Sequence, residues 1–220
     1  MTANLTDVRL EDSVTELLAR AALFKALALT LASPEPAHRE QVLAAFDPLT
    51  GNLDTPLQTH FLLARQAWRV CGEAELPFLH ARLFHGNTRC PPHETAYGDG
   101  RRLAGRETEL ADIGGFYLAF GFQLSPDHPD LPDHLGTELE FVSLMLLKAA
   151  FAASNNMPEE EQITLDALRS FLECHLGRWT GAFSEALAEA GDGDPYLETA
   201  RLIEKTVRDE CERLGSQPSP

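Results

Sequence analysis

Apolar residues recur at helical spacing along nearly the whole chain. At 14, 17, 18, 21, 24, 27, 28 and 31, with Asp12 or Ser13 in front and Pro34 beyond, they predict an amphipathic helix over 13–32. Ser33-Pro34 restarts a short helix that ends near Phe46. Asp54 as cap and Pro56 in the first turn open a third helix, with Leu57, Phe61, Ala64, Trp68 and Cys71 on one face before Gly72 stops it. A fourth is predicted over 75–85, and then proline and glycine without periodicity mark a long loop to about residue 105, a length that usually carries function. Helix returns over 107–124 although Gly114, Gly115 and Gly121 interrupt it, which predicts close approach of another backbone there. A polar loop over 125–132 precedes the most apolar helix, 132–154, and three more follow over 158–176, 179–190 and 195–214. No strand-like alternation competes. The pattern predicts an all-α single-domain bundle of about eight or nine helices over 1–214, long loops near 86–106 and 125–132, and a flexible tail over 215–220.

Length and charge narrow the class. A chain of 220 residues can bury a sizeable core without disulfide staples. Its net charge of −16 disfavours nonspecific binding to nucleic acid or anionic lipid and points to basic or apolar partners. The four cysteines, Cys71, Cys90, Cys174 and Cys211, form no CxxC pair, and the start of the chain has no apolar signal segment. No uncharged run reaches the roughly 18 residues of a membrane span. Together these features lead us to expect a cytoplasmic protein.

The richest polar stretch is Asp127-His128-Pro129-Asp130-Leu131-Pro132-Asp133-His134, with Glu138 four residues on. Asp and His are the ligands of two-metal phosphohydrolase sites, the enzymatic alternative, but such sites draw ligands from several helices and these lie in one loop. The plainer alternative makes Asp130 or Asp133 a helix N-cap with Pro132 near the first turn. His134 and Glu138 share a helical stripe with Phe141 and Met145, beside a core stripe of Leu135, Leu139, Val142 and Leu146. That arrangement predicts a groove with a polar mouth, at which replacing Asp133 and His134 costs no more than a cap. A second cluster runs from Leu83-Phe84-His85-Gly86 to Cys90-Pro91-Pro92-His93-Glu94-Thr95-Ala96-Tyr97. His85, Cys90 and His93 lack a fourth zinc ligand at diagnostic spacing, so no metal is expected. Phosphate-binding loops and the common Ser or Cys nucleophile signatures are absent, so no catalytic residue is expected.

Four of these motifs, in order, resemble the TorD, DmsD and NarJ group of redox-enzyme maturation chaperones. The most specific is Leu131-Pro132-Asp133-His134 followed by Glu138-Leu139-Glu140-Phe141. Leu83-Phe84-x-Gly86 with Pro91-Pro92-x-Glu94-x-x-Tyr97, Tyr117-x-x-x-Gly121-Phe122, and Phe171-x-x-x-His175-Leu176-x-x-Trp179-x-x-x-Phe183 support it. Val142 and His93 depart from the family's usual residues, and the Cys90–Gly98 variant is closest to the branch serving nitrate-reductase-like and dehydrogenase-like members of the dimethyl sulfoxide reductase superfamily. The resemblance implies an all-helical, TorD-like chaperone, and no cofactor is expected. It implies as partners the apo catalytic subunit of a molybdoenzyme, that subunit's twin-arginine leader peptide and the proteins that deliver the molybdenum cofactor, with the chaperone a monomer or homodimer. A basic pair followed by an apolar segment needs an acidic rim beside an apolar groove. The expected peptide-binding residues are accordingly Asp133, His134, Glu138, Pro132, Phe141, Leu83, Phe84, Glu94 and Tyr97.

Overall fold

The computed structural model describes residues 5–51, 53, 55–86, 88, 90–97, 103–124, 131–191 and 195–218. Among these, nine α-helices and no sheet are found: α1 (Leu5–Thr30), α2 (His38–Phe46), α3 (Thr55–Val70), α4 (Leu76–Phe84), α5 (Leu103–Ala119), α6 (Leu135–Ser154), α7 (Pro158–Cys174), α8 (Leu176–Ala190) and α9 (Pro195–Leu214). The all-α expectation holds.

The most extensive packing in the molecule joins α1 to α6, and the Ser143 hydroxyl of α6 donates to the Ala21 carbonyl of α1 at 2.8 Å. Both faces of α6 are covered: Leu135, Leu139, Val142 and Leu146 are buried, and so are Glu138, Phe141 and Met145, so both predicted stripes are interior. The second is closed over by α5 and α7, whose Tyr117 and Phe171 rings lie 4.9 and 4.8 Å from Phe141. Full burial of each such side chain is worth about 1.5–3 kcal/mol. On the other side α9 packs against α3 and α8, and the Trp68 indole N–H donates to Thr199 Oγ1 at 2.9 Å.

Several helix ends differ from the sequence reading. α5 stops at Ala119, five residues before the expected end, because Gly121 takes a left-handed φ of 69°. The N–H of Phe122 then reaches the Tyr117 carbonyl at 2.8 Å and that of Gly121 the Leu118 carbonyl at 3.2 Å, a Schellman closure sealed by contact between the Tyr117 and Phe122 rings. The close backbone approach expected at Gly114, Gly115 and Gly121 is corrected: a Cβ at any of the three would meet nothing within 4 Å. The glycine that does need its missing side chain is Gly177, at the break between α7 and α8, where a Cβ would lie 2.5 Å from the Leu172 carbonyl oxygen and 2.6 Å from Pro218. The tail is not loose as far as Pro218: Ser216 is buried, with its N–H on the Cys211 carbonyl at 2.9 Å. Helix α6 begins at Leu135 rather than Pro132, and its N-cap is His134.

Candidate functional site: a histidine-lined cavity

The Pro91-Pro92 corner and the short 3-10 turn Glu94–Ala96 lie against the entry to α6. His93 and His134 form an isolated antiparallel bridge, in which the Glu94 N–H donates to the Asp133 carbonyl and the Leu135 N–H to the Pro92 carbonyl, both at 2.9 Å. The Asp133 carboxylate fastens the same junction, accepting from the Thr95 hydroxyl at 2.6 Å and the Thr95 N–H at 3.3 Å, with His93 Nδ1 at 3.3 Å. Burial alone would raise its pKa, but the hydrogen bonds from His93 and Thr95 outweigh burial and hold the carboxyl below the usual range. His134 turns Nδ1 back to accept the Gly136 N–H at 3.1 Å, which satisfies one of the orphan donors of α6. An imidazole serving there as acceptor carries its proton on Nε2.

Beside this junction is a cavity of about 720 Å³, in the range that takes ligands. Its apolar surface comes from Ala28 and Leu29 of α1, Leu31 just beyond it, Phe84 of α4, and Phe122 and Leu124 beyond α5. Five histidines line it: His38, His80, His85, His93 and His134. Two ring pairs sit edge to face, His80 with His85 at 5.1 Å and His93 with His134 at 5.2 Å. Burial lowers the His38 pKa more than nearby Glu73 raises it, so that ring is neutral at physiological pH. The carboxylates of the lining are Glu35 and Glu140, the latter paired with Lys25 at the surface. Apolar walls with imidazole donors and acceptors and two peripheral carboxylates suit an apolar segment carrying a basic group.

The structure divides the residues expected to bind peptide. Phe84 and His134 line the cavity. Pro132 adjoins it in the chain, half-buried, its carbonyl accepting from the Tyr117 hydroxyl at 2.8 Å. Leu83, Tyr97 and Phe141 are buried in the core, with the Tyr97 ring stacked on Trp179. The expectation of an open acidic rim at Glu94, Asp133 and Glu138 is corrected: their exposures are 3 %, 0 % and 0 %. Asp133 is consumed by Thr95 and His93, while Glu94 and Glu138 face the α5–α8 side, with His175 Nδ1 3.3 Å from Glu94 Oε1 and the Trp179 indole N–H donating to Glu138 Oε2 at 3.3 Å. The N-cap expectation for Asp133 is likewise corrected, since His134 occupies that position. Asp127, His128 and Asp130 lie outside the described residues. Cys90 is buried with its thiol donating to the Leu83 carbonyl at 3.2 Å, and among the described residues no three potential ligands converge as a metal site would need. Sequence reasoning missed His38, His80, Gln41, Thr137, Glu35 and Glu140 as lining residues. One signal was present for His80, which lies between Leu76 and Phe84 on the apolar stripe of α4.

Among the described residues no helix is long and apolar enough to cross a membrane. Residues 50–185, more than half of the chain, match the model of the nitrate reductase delta subunit family. A selenate reductase assembly chaperone of Thauera selenatis is 35% identical over 120 residues, covering 54% of this chain and 60% of the relative. A chlorate reductase assembly chaperone of Ideonella dechloratans is 33% identical over 121 residues, covering 55% and 61%. The chaperone TorD of Aeromonas salmonicida is 28% identical over 121 residues, covering 55% and 52%. The chain thus spans a little over half of the curated relatives it matches, and those relatives are named as assembly factors rather than catalysts. The crystal structure of a protein from Archaeoglobus fulgidus assigned to redox enzyme maturation shares the fold, with a TM-score of 0.56 at 18% identity over 86% of this chain and 93% of that one. Motif order, helical architecture and family match agree, and the chain belongs to the nitrate reductase delta subunit family, within the TorD/NarJ group of redox-enzyme maturation chaperones.

Proposed function

We propose that the protein is a cytoplasmic, system-specific chaperone for the catalytic subunit of a molybdoenzyme. The histidine-lined cavity receives the twin-arginine leader of the apo subunit, and the chaperone keeps that subunit open until its molybdenum cofactor is inserted, ahead of export or assembly. The observation that carries this reading is the cavity itself: about 720 Å³ with apolar walls and two carboxylates, in a chain of net charge −16. Long-range attraction gathers a basic leader, the apolar walls hold the segment after its arginines, and Glu35 and Glu140, the latter exchanging its Lys25 partner, offer carboxylates to a guanidinium. The relatives' names direct the client toward a reductase of the selenate, chlorate or TorD-served kind. Residues 1–214 act as one unit, monomeric or homodimeric, with cofactor-delivery proteins as further partners. The enzymatic alternative is not favoured, because Asp133 and His134 already spend their side chains on Thr95, His93 and Gly136.

Co-expression of the tagged chaperone with a reductase catalytic subunit in cells unable to make the molybdenum cofactor tests the proposal. The apo subunit should co-purify, and deletion of its leader should reduce recovery sharply. Equal recovery with and without the leader, or retention of the cofactor-loaded enzyme alone, would overturn it.

A further inference from the structure

The rim of the cavity carries an ion pair unlike the others in the molecule. Lys25 of α1 donates from Nζ to Glu140 Oε1 of α6, and of these two residues only Glu140 lines the cavity. The chain has three lysines, Lys25, Lys148 and Lys205, and among the described residues Lys25 is the one that makes an ion pair. Histidine contacts aside, every other cation paired there is an arginine. Where α1 meets α9, Arg20 takes both oxygens of Glu210, whose side chain is 3 % exposed, and the pair fastens two helices. Lys25 and Glu140 are 63 % and 42 % exposed, and their contact is a single bond that leaves Glu140 Oε2 without a protein donor. A pair of that kind adds little to stability. Nor does α1 need it, being held on α6 by the most extensive packing in the molecule and by the Ser143 hydroxyl on the Ala21 carbonyl. Glu35, the other carboxylate of the lining, is exposed and has no cation partner among the described residues.

We infer that Lys25 is an internal stand-in for a leader arginine and the residue that makes Glu140 selective for a guanidinium. The inference rests on the leader reading above and names a specificity residue of that same site. In the protein alone Lys25 neutralises the Glu140 carboxylate, so a ligand's cation reaches Glu140 only by exchange. An incoming ammonium makes the same single bond that Lys25 gives up, and the exchange gains nothing. A guanidinium takes both oxygens in parallel N–H···O bonds, and the exchange is favourable. Glu35 requires no exchange and accepts either cation, so the demand for arginine falls on the basic residue that meets Glu140. When the leader departs, Lys25 reclaims the carboxylate and the rim is neutralised again without a further partner.

Calorimetric titration with the leader peptide of the co-purified subunit, made once with Arg-Arg and once with Lys-Lys, tests the stand-in. The proteins are wild type, Lys25→Met, Glu140→Gln and the double variant, with Lys205→Met on α9 matching the change in net charge. In the wild-type background Glu140→Gln should weaken the Arg-Arg peptide about fivefold and the Lys-Lys peptide less than about twofold. Lys25→Met should strengthen the Arg-Arg peptide about threefold, beyond any gain from Lys205→Met, and once Lys25 is gone Glu140→Gln should weaken the Lys-Lys peptide about threefold as well. A Lys25→Met affinity no higher than that of Lys205→Met, or a Lys-Lys peptide as indifferent to Glu140 without Lys25 as with it, would overturn the inference and leave the leader reading standing. An Arg-Arg peptide that binds neither wild type nor Lys25→Met would overturn both.

Discussion

Asp133 shows most plainly how a signature residue can hold a site without touching its ligand. Its carboxylate joins the 3-10 turn to α6, so Asp133→Asn should cost about 1–3 kcal/mol in urea unfolding at neutral pH. The folded pKa is depressed below 3.8, so the stabilisation is present above that value and lost as pH falls through the lower folded value. The variant should accordingly show a flatter acid limb in the same titration. Glu138 behaves in the opposite sense, being buried and neutral. Glu138→Gln, which offers N–H to Glu94 and C=O to Trp179, should change stability by about 1 kcal/mol or less. Glu138→Ala, which leaves the indole N–H unpaired beside a void, should cost about 2–4 kcal/mol. Neither sign is legible in the sequence. A carboxylate beside Pro-x-His reads alike whether exposed or buried, and Thr95, which decides the matter for Asp133, is 38 residues away.

At the scale of elements, periodicity identifies the helices because each buries one face, and it fails at their ends, where local hydrogen bonds take over. The end of α5 is set by Gly121 and the Tyr117–Phe122 contact, and the start of α6 by a histidine cap that lies outside the usual capping residues. The break at His175, with φ −127° and ψ −100°, has no proline to announce it. There the tail closes over Gly177, and Gly177→Ala should destabilise by about 1–3 kcal/mol, since the Leu172 carbonyl and Pro218 would have to move. Chemical denaturation of this variant beside Gly114→Ala separates the two cases: the second site is open, so alanine there should be neutral or stabilising by about 0.5–1 kcal/mol. Equal losses at both positions would show that the tail does not pack as described.

For the molecule as a whole, the sequence made the bundle, the acidic surface and the neighbourhood of the site legible, because the signature residues converge on the entry to α6. It did not disclose that the cavity opens between the end of α1, the start of α2, α4 and α6, since those walls are far apart in sequence and meet through tertiary packing, most extensively that of α1 on α6. The cavity residues are thus spread from Ala28 to Glu140, and the signature acids serve as the framework behind them. Charge should enter binding mainly through the net field and the peripheral Glu35 and Glu140, so leader affinity should weaken as salt is raised.

The measurement that bears most directly on the cavity as the leader site is calorimetric titration of a client's leader peptide into the wild-type protein and into Ala32→Trp. Ala32 is an exposed lining residue, so the indole obstructs the cavity without entering the core. With an unchanged circular dichroism spectrum and melting temperature, the variant is expected to bind at least about tenfold more weakly, a loss of about 1.4 kcal/mol. Undiminished affinity in the folded variant would place the leader elsewhere on the molecule.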